Sequence, residues 1–246
     1  MLKRFRKRFT DLVQHKASNR RNAESRTPPV LQDARRVPYG PFTFRAVLPK
    51  RLAYTVEAST NLAVWAPISH GVAGEQPLDF VDSEARRFRY RFYRVGCGGL
   101  YSPSVIGYAA VTLPPGDSLI GSPFSSGDSK VGQLFGNWPD GTCLKRYEPR
   151  LSKVMENLSK AGRWTNPAER LNPGEGMVFF NPTSDYKEVS FYGEVKTGTF
   201  SLPIPGGFSL RSSFLPRPGN ILEDFWPINA GSRGCLFRLL GLFAKL

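Results

Sequence analysis

Ser118 is the residue with the clearest potential for chemistry, because it follows a glycine and an aspartate in the segment Gly-Asp-Ser-Leu at 116–119. A serine hydroxyl attacks an acyl carbon only when a neighbouring base takes its proton, and histidine is the commonest base. The chain contains two histidines, His15 and His70, and both precede Ser118. A nucleophilic serine at this position would therefore have no histidine that follows it in the chain.

Segment 116–119 resembles the nucleophile block of the GDSL esterases and lipases. In that family the block follows a buried strand, opens a helix, and depends on a histidine further down the chain. Here Pro114 and Pro115 precede the block, and no histidine follows it. A loose copy of the surrounding pattern at 206–215 favours a structural role instead. We therefore predict that Gly116 forms a turn that opens a strand.

The sequence gives equally little evidence for a metal, phosphate or cofactor site. The three cysteines, Cys97, Cys143 and Cys235, form no C-x-x-C pair, so they predict no zinc site, and nothing selects the partners of a single disulfide. The glycine-rich segment 173–176 is followed by Met-Val, where a phosphate-binding loop needs Lys and then Ser or Thr. We predict no metal, no cofactor and no enzymatic activity.

Positive charge is concentrated near the N-terminus. The net charge is +14, and residues 1–37 hold eleven Lys or Arg against three Asp or Glu, a net of +8. Such a segment buries too little apolar surface to offset its ordering entropy, so we predict a disordered basic arm. The arm is either a solvated tail or a tether for nucleic acid. The predicted nucleic-acid contacts are Lys3, Arg4, Arg6, Lys7, Arg8, Arg20 and Arg21, with Arg89 and Arg91 from the body of the chain.

A run of arginines also alternates with aromatic residues in the body of the chain. By strict alternation, Phe88, Tyr90 and Phe92 fall on one face of a strand. Arg89 and Arg91 fall on the other face. Proteins that bind single-stranded nucleic acid combine cations with aromatic stacking surfaces. A sheet with its aromatic residues inside and its arginines in water gives the same pattern, and we favour that interpretation.

Turn-forming and aromatic residues indicate many short strands. Aromatic residues make up 13% of the chain, which also holds 24 Gly and 21 Pro. No apolar run approaches the ~20 residues of a membrane-spanning helix. Helix and strand both remain open for 149–158. The predicted strands lie at 42–48, 54–59, 61–68, 80–95, 109–113, 118–120, 143–147, 177–181, 188–192 and 208–212.

Two stretches are rich in turn glycines, strand aromatics and tryptophans: 54–68, 80–82 and 91–95 form the first, and 111–120, 164–167, 171–182 and 191–195 form the second. They resemble modules of large secreted surface proteins of Verrucomicrobia and Planctomycetes. The first is similar to an immunoglobulin- or fibronectin-like β-module, and the second to a β-rich, Pro-Gly-Glu-Gly-type repeat that often follows it. The resemblance implies an exported, non-enzymatic protein of the cell surface whose partners are polysaccharide or other surface proteins.

Together these features predict an all-β protein with two small β-sandwich-like domains behind the basic arm. The predicted units are the arm at 1–37, an immunoglobulin-like domain at 38–104, a repeat domain at 105–206, and an incomplete second repeat with an apolar tail at 207–246. Residues 1–9 resemble the start of a signal peptide, but no apolar stretch follows them, so we expect none. We expect a structural or adhesive module that contacts polysaccharide, with nucleic-acid binding by the arm as the alternative. The predicted core residues are Trp65, Phe80, Tyr90 and Phe92 in the first domain, and Trp164, Val178, Phe180, Phe191 and Leu210 in the second.

Overall fold

In the computed structural model, the regular secondary structure of the described residues is almost entirely β, which confirms the all-β prediction. Aromatic residues favour strands, and frequent Gly and Pro keep those strands short. No helix in the described part of the chain is long and apolar enough to cross a membrane. The described residues are 27–125, 129–196, 208–213, 216 and 239–240.

The described residues contain seventeen strands, one short helix and two 3₁₀ turns. The helix α1 covers Val131–Leu134, and the turns cover Ser83–Arg87 and Pro149–Leu151. The strands of the first half are β1 (Val30–Arg36), β2 (Phe42–Val47), β3 (Ala53–Ser59), β4 (Ala66–Val72), β5 (Leu78–Asp82), β6 (Tyr90–Cys97), β7 (Leu100–Tyr101), β8 (Val105–Leu113) and β9 (Gly116–Gly121). Those that follow are β10 (Phe124–Ser125), β11 (Cys143–Glu148), β12 (Lys153–Lys160), β13 (Arg163–Trp164), β14 (Gly176–Asn181), β15 (Lys187–Val195), β16 (Arg211–Ser212) and β17 (Leu239–Leu240).

Three antiparallel sheets form three layers, which we name front, central and back. The front sheet has the strand order β1-β2-β5, and the back sheet has the order β13-β12-β11-β14-β9. The central sheet has the order β10-β15-β8-β6-β3-β4, with β7 paired to β6. It lies between the other two, because its two faces contribute to two separate hydrophobic cores. Strands β16 and β17 form a separate parallel pair.

Strand β6 shows how one sheet serves both cores. Phe92 packs into the core between the central and back sheets, which we call the back core. Tyr93 and Val95 pack into the core between the central and front sheets, the front core. Successive side chains of a strand point to opposite faces, so a strand with apolar residues in consecutive positions is buried on both sides.

The central sheet crosses the predicted boundary between the two domains. That boundary, between residues 104 and 105, falls at the first residue of β8. Strand β8 pairs with β6 before the boundary and with β15 after it. Phe92 on one side of the boundary and Phe191 on the other pack in the same back core. The front and central sheets form one sandwich-like pair, the central and back sheets form another, and the two pairs share the central sheet.

The prediction that Val178 and Phe180 fill the second core is wrong. In β14 it is Met177 and Phe179 that are fully buried in the back core, whereas Val178 and Phe180 lie on the opposite face and are half-buried. A shift of one residue moves every side chain of a strand to the other face. All four residues of the sequence Met-Val-Phe-Phe are apolar, so both faces of this strand carry apolar side chains. The sequence pattern therefore cannot show which face points into the core.

The other predicted core residues divide into buried and marginal ones. Those that are buried are Phe92, Trp164 and Phe191. Those that are half-buried are Trp65, Phe80, Tyr90 and Leu210. Trp65 and Tyr90 follow the general trend, since tryptophan and tyrosine are commonly only partly buried in folded proteins.

The prediction that the basic arm extends to residue 37 is wrong at its C-terminal end. Strand β1 occupies Val30–Arg36 and pairs with β2. The side chain of Arg36 is only 1% exposed, and its Nη1 donates a 2.8 Å hydrogen bond to Glu188 Oε1. Local composition places these residues in the arm, because the carboxylate that balances the charge of Arg36 lies 152 residues away in the chain. Residues 1–26 lie outside the described residues.

One open assignment is decided, and three strand predictions need adjustment. Residues 149–158 form a 3₁₀ turn followed by most of β12, so strand is the correct alternative for the larger part of the segment. The strand predicted at 61–68 begins later, at Ala66, because residues before it form a loop. In 208–212 only Arg211–Ser212 is extended and paired. The long strand predicted at 80–95 is divided by the first 3₁₀ turn.

Candidate functional site

The predicted nucleic-acid contacts do not come together on one described surface. Those of the arm, from Lys3 to Arg21, lie outside the described residues. Arg89 is exposed, as expected for an arginine in water. The expectation that Arg91 also lies in water is wrong, because its side chain is only 13% exposed and its Nη1 lies 2.8 Å from Asp82 Oδ2. Its charge is compensated within the fold.

Asp82 is the acceptor at the centre of this buried polar group. It accepts hydrogen bonds from Arg91 Nη1, from the Tyr93 hydroxyl at 2.6 Å, and from the backbone N–H of Glu84 at 3.0 Å. The last of these caps the 3₁₀ turn that follows β5. A buried charge with several charge-assisted partners fixes local structure. We therefore assign this group to stability rather than to ligand binding.

We predict that Tyr93 and Tyr108 resist ionisation in the folded protein. Burial raises the pKa of Tyr93 well above its usual range, and the hydrogen bond to Asp82 raises it further. Burial also raises the pKa of Tyr108. Because the folded pKa exceeds the unfolded value of about 10, the stability from these groups is complete below pH ~10 and is lost as the pH rises above it.

Absorbance of tyrosinate during an alkaline titration measures this directly. Of the nine tyrosines, Tyr93 and Tyr108 should ionise only when the protein unfolds, whereas in denaturant all nine should titrate together near pH ~10. A smooth titration of all nine tyrosines at pH ~10 in the folded protein would contradict the buried positions of these two hydroxyls.

The feature of the surface that best fits a binding site is a group of four residues on the back-facing side of the central sheet. We call Glu57, Trp65, Arg94 and Tyr101 the arginine–aromatic cluster. The guanidinium carbon of Arg94 lies 4.5 Å from the centre of the Trp65 ring and 4.1 Å from that of Tyr101. Arg94 Nε donates a 2.7 Å hydrogen bond to Glu57 Oε2. The Tyr101 hydroxyl donates to Glu57 Oε1 at 3.1 Å.

Strand pairing explains why these side chains meet. Glu57 of β3 is directly opposite Arg94 of β6, and Tyr101 of β7 is opposite Gly96 of β6. Directly opposite residues share a face of the sheet and lie within reach of each other. A Cβ atom at Gly96 would lie 3.1 Å from the Tyr101 ring, so the glycine gives the ring room to lie against the strand. Tyr101 is held beside Arg94 in consequence.

A loop stabilised by side chains positions the fourth member, Trp65. Ser59 Oγ accepts the backbone N–H of Leu62 at 2.9 Å, and Asn61 Oδ1 accepts that of Val64 at 2.8 Å. Such local bonds to serine and asparagine are typical of tight turns. Leu62 has a φ of 62°, an unusual conformation for a leucine, and its side chain packs against the back core. The loop therefore brings Trp65 over Arg94 in a fixed geometry.

The cluster combines exposed aromatic surface with a compensated charge. Tyr101 is 49% exposed and Trp65 is half-buried, so both rings remain accessible. The Glu57 carboxylate balances the Arg94 guanidinium, and each also uses part of its hydrogen-bonding capacity on the other. Aromatic rings stack on flat apolar groups, such as a face of a sugar ring or a nucleobase, while carboxylate and guanidinium groups bond to hydroxyls.

The residues that the sequence suggested for catalysis are not assembled into a catalytic group. Gly116 has a φ of 84° and begins β9, so the predicted turn glycine that opens a strand is confirmed. Ser118 lies within that strand, opposite Phe179 of β14. Cys97 and Cys143 are buried free thiols, and burial raises the pKa of each. Among the described residues, no group of three His, Cys, Asp or Glu side chains is arranged to hold a metal ion.

Comparison with known proteins finds no relative of this chain. No family model, no curated protein and no solved structure matches this chain. The resemblance to an immunoglobulin-like module and to a surface-protein repeat therefore stays a prediction from the residues. Function has to be argued from the geometry of the cluster and from the charge around it.

Two members of the cluster stand out in the sequence, and two do not. Arg94 belongs to the arginine run, and Trp65 was predicted to lie in the first core. Tyr101 was not singled out at all. The available signal was the pair of turn glycines at 98–99, which predicts a short hairpin that returns Tyr101 alongside Gly96. Glu57 could have been found only by aligning β3 with β6.

Proposed function

We propose that this chain is a non-enzymatic binding module, a structural or adhesive part of a bacterial surface protein, and that its arginine–aromatic cluster contacts neutral polysaccharide. The observation that carries the proposal is the stack of Arg94 against Trp65 and Tyr101, with Glu57 holding the guanidinium. Rings that are fixed before the ligand arrives lose little conformational entropy on binding. Preorganised aromatic surface of this kind suits weak, repeated contacts along a polymer.

The compensated charge supports a neutral ligand over nucleic acid at this surface. Binding to a phosphate backbone depends on cations that release its counterions. The one cation of the cluster, Arg94, already lies 2.7 Å from a carboxylate oxygen of Glu57. A sugar polymer offers hydroxyl groups and apolar ring faces, which match the exposed ring surface and the remaining hydrogen-bonding sites.

Binding of the full chain to neutral hexasaccharides of glucose, xylose and mannose, measured by isothermal titration calorimetry, tests this proposal. Trp65→Ala and Tyr101→Ala should each weaken binding about tenfold, because each removes a stacking surface. Affinity should change little between about 50 and 500 mM salt, because no charge pairs with the ligand.

Tyr186→Ala is the matched control, because Tyr186 is 67% exposed and lies outside the cluster. This variant should bind as the unaltered protein does. Equal losses in all three variants, or no binding to any of the sugars, would overturn the proposal. Tight, salt-sensitive binding to single-stranded RNA that is lost when Lys3, Arg4 and Arg6 are changed to Gln would favour the alternative, a nucleic-acid tether in the basic arm.

A further inference from the structure

An open groove with a volume of about 550 Å³ lies at the end of the back sheet, remote in sequence from the cluster. One wall is the end of β11 with the 3₁₀ turn Pro149–Leu151, and the other is the segment 209–211. The second wall is anchored to β14: Gly176 N–H donates to Leu210 O at 3.2 Å, and the Ser212 hydroxyl donates to Glu175 O at 2.9 Å. The second wall is therefore held against the start of β14.

Three arginines line this groove, and their donors are incompletely used. Arg211 is half-buried, and its Nε is fully buried without a hydrogen-bond partner. The Nε of Arg146 is also buried without a hydrogen bond, and its nearest carboxylate oxygen, Glu169 Oε1, is 3.6 Å away. Arg150 is exposed, and within the described residues neither it nor Arg211 forms an ion pair.

Both carboxylates that line the groove already accept hydrogen bonds. Glu148 accepts the backbone N–H of Arg150 at 3.3 Å, which caps the 3₁₀ turn. Glu175 Oε2 accepts from Asn172, at 3.0 Å from its side-chain amide and 3.3 Å from its backbone N–H. Three guanidinium groups and two carboxylates leave the lining with a net positive charge. Buried donors without acceptors are costly to a fold, so the two Nε atoms mark guanidinium groups whose hydrogen-bonding capacity is incompletely used within the chain.

We propose that this groove binds an oxyanion, a carboxylate, sulfate or phosphate group, with Arg211 as its main contact and Arg146 and Arg150 beside it. Guanidinium groups bind planar and tetrahedral oxyanions through paired N–H donors. The anion is either free in solution or carried on an acidic sugar, and both sources present the same oxygens. The proposal is independent of the neutral-sugar site, because the two sites share no residue.

Calorimetric titration of the full chain with inorganic phosphate, and separately with hexagalacturonate, tests the groove. Binding of at least one of the two is expected, and phosphate without hexagalacturonate would identify a free anion as the source. Arg211→Gln should weaken the binding at least about tenfold, because a charge-assisted pair is lost. Arg150→Gln should weaken it by a smaller factor, and since Arg150 is exposed this variant should keep the fold.

Arg163→Gln is the matched control for net charge. Arg163 is exposed on β13, which pairs with the Ser159–Lys160 end of β12, away from the groove. This variant should bind both probes within about twofold of the unaltered protein, since distant exposed charges are largely screened. The proposal is overturned if neither probe binds, or if Arg211→Gln and Arg150→Gln bind no more weakly than Arg163→Gln.

Discussion

Replacement of Asp82 by alanine is expected to lower the free energy of unfolding by about 3–5 kcal/mol. The carboxylate is 6% exposed and accepts hydrogen bonds from the Arg91 guanidinium and from the Tyr93 hydroxyl. Without it, a guanidinium that is 13% exposed and a buried hydroxyl lose their acceptor. A loss of this size is a large part of the total stability of about 5–15 kcal/mol that is usual for a folded protein.

The same strand supplies the control. Asp79 of β5 also pairs with an arginine, at 2.7 Å from Arg45 Nε, but the two side chains are 68% and 44% exposed. Asp79→Ala should therefore cost no more than about 1 kcal/mol. Urea unfolding curves of both variants, followed by circular dichroism, compare the two losses. Similar costs for the two substitutions would show that Asp82 is not buried with its partners.

Replacement of Phe179 by alanine is expected to destabilise the protein by about 3–5 kcal/mol, whereas the same change at Phe180 should cost about 1 kcal/mol. Phe179 is fully buried in the back core, in contact with the rings of Phe135 and Trp138. Phe180 faces the other way and is half-buried, with the Lys145 amine 5.4 Å from its ring. The two substitutions are chemically identical and lie at adjacent positions. The difference between their losses of stability therefore shows which face of β14 points into the back core.

Unfolding by urea again gives the measurement. Equal losses at the two positions, or a larger loss at Phe180, would mean that β14 presents its other face to the back core. The pairing of Phe179 with Ser118 and of Phe180 with Asp117 would then be wrong as well.

The fold class was predictable from sequence because turn residues and strand residues alternate over short distances. Which face of a strand points inward was predictable only where apolar and polar residues alternate. In β14 they do not, and the choice between Phe179 and Phe180 depends on β9 and β11, its neighbours in the back sheet. The central sheet has both faces buried, so its strands lose the alternation on which such predictions rely.

Charge compensation between residues that are far apart in the chain was the second limit on what the sequence could predict. Arg36 resembles its basic neighbours in composition, yet it is buried because Glu188 reaches it from β15. Arg91 likewise resembles Arg89, but Asp82 draws only Arg91 into the fold. The arginine–aromatic cluster has the same origin, since its members come from four separate segments of the chain that the sheet brings together.

Chemical-shift mapping of the full, isotope-labelled chain during titration with a neutral hexasaccharide tests the central proposal most directly. We expect the largest shifts at the Trp65 indole N–H and at the backbone amides of Arg94, Gly96 and Tyr101, and we expect Tyr101→Ala to need about ten times more sugar for the same shifts. Shifts centred on any other surface, or an unchanged titration midpoint in that variant, would contradict the assignment of the arginine–aromatic cluster as the sugar-binding surface.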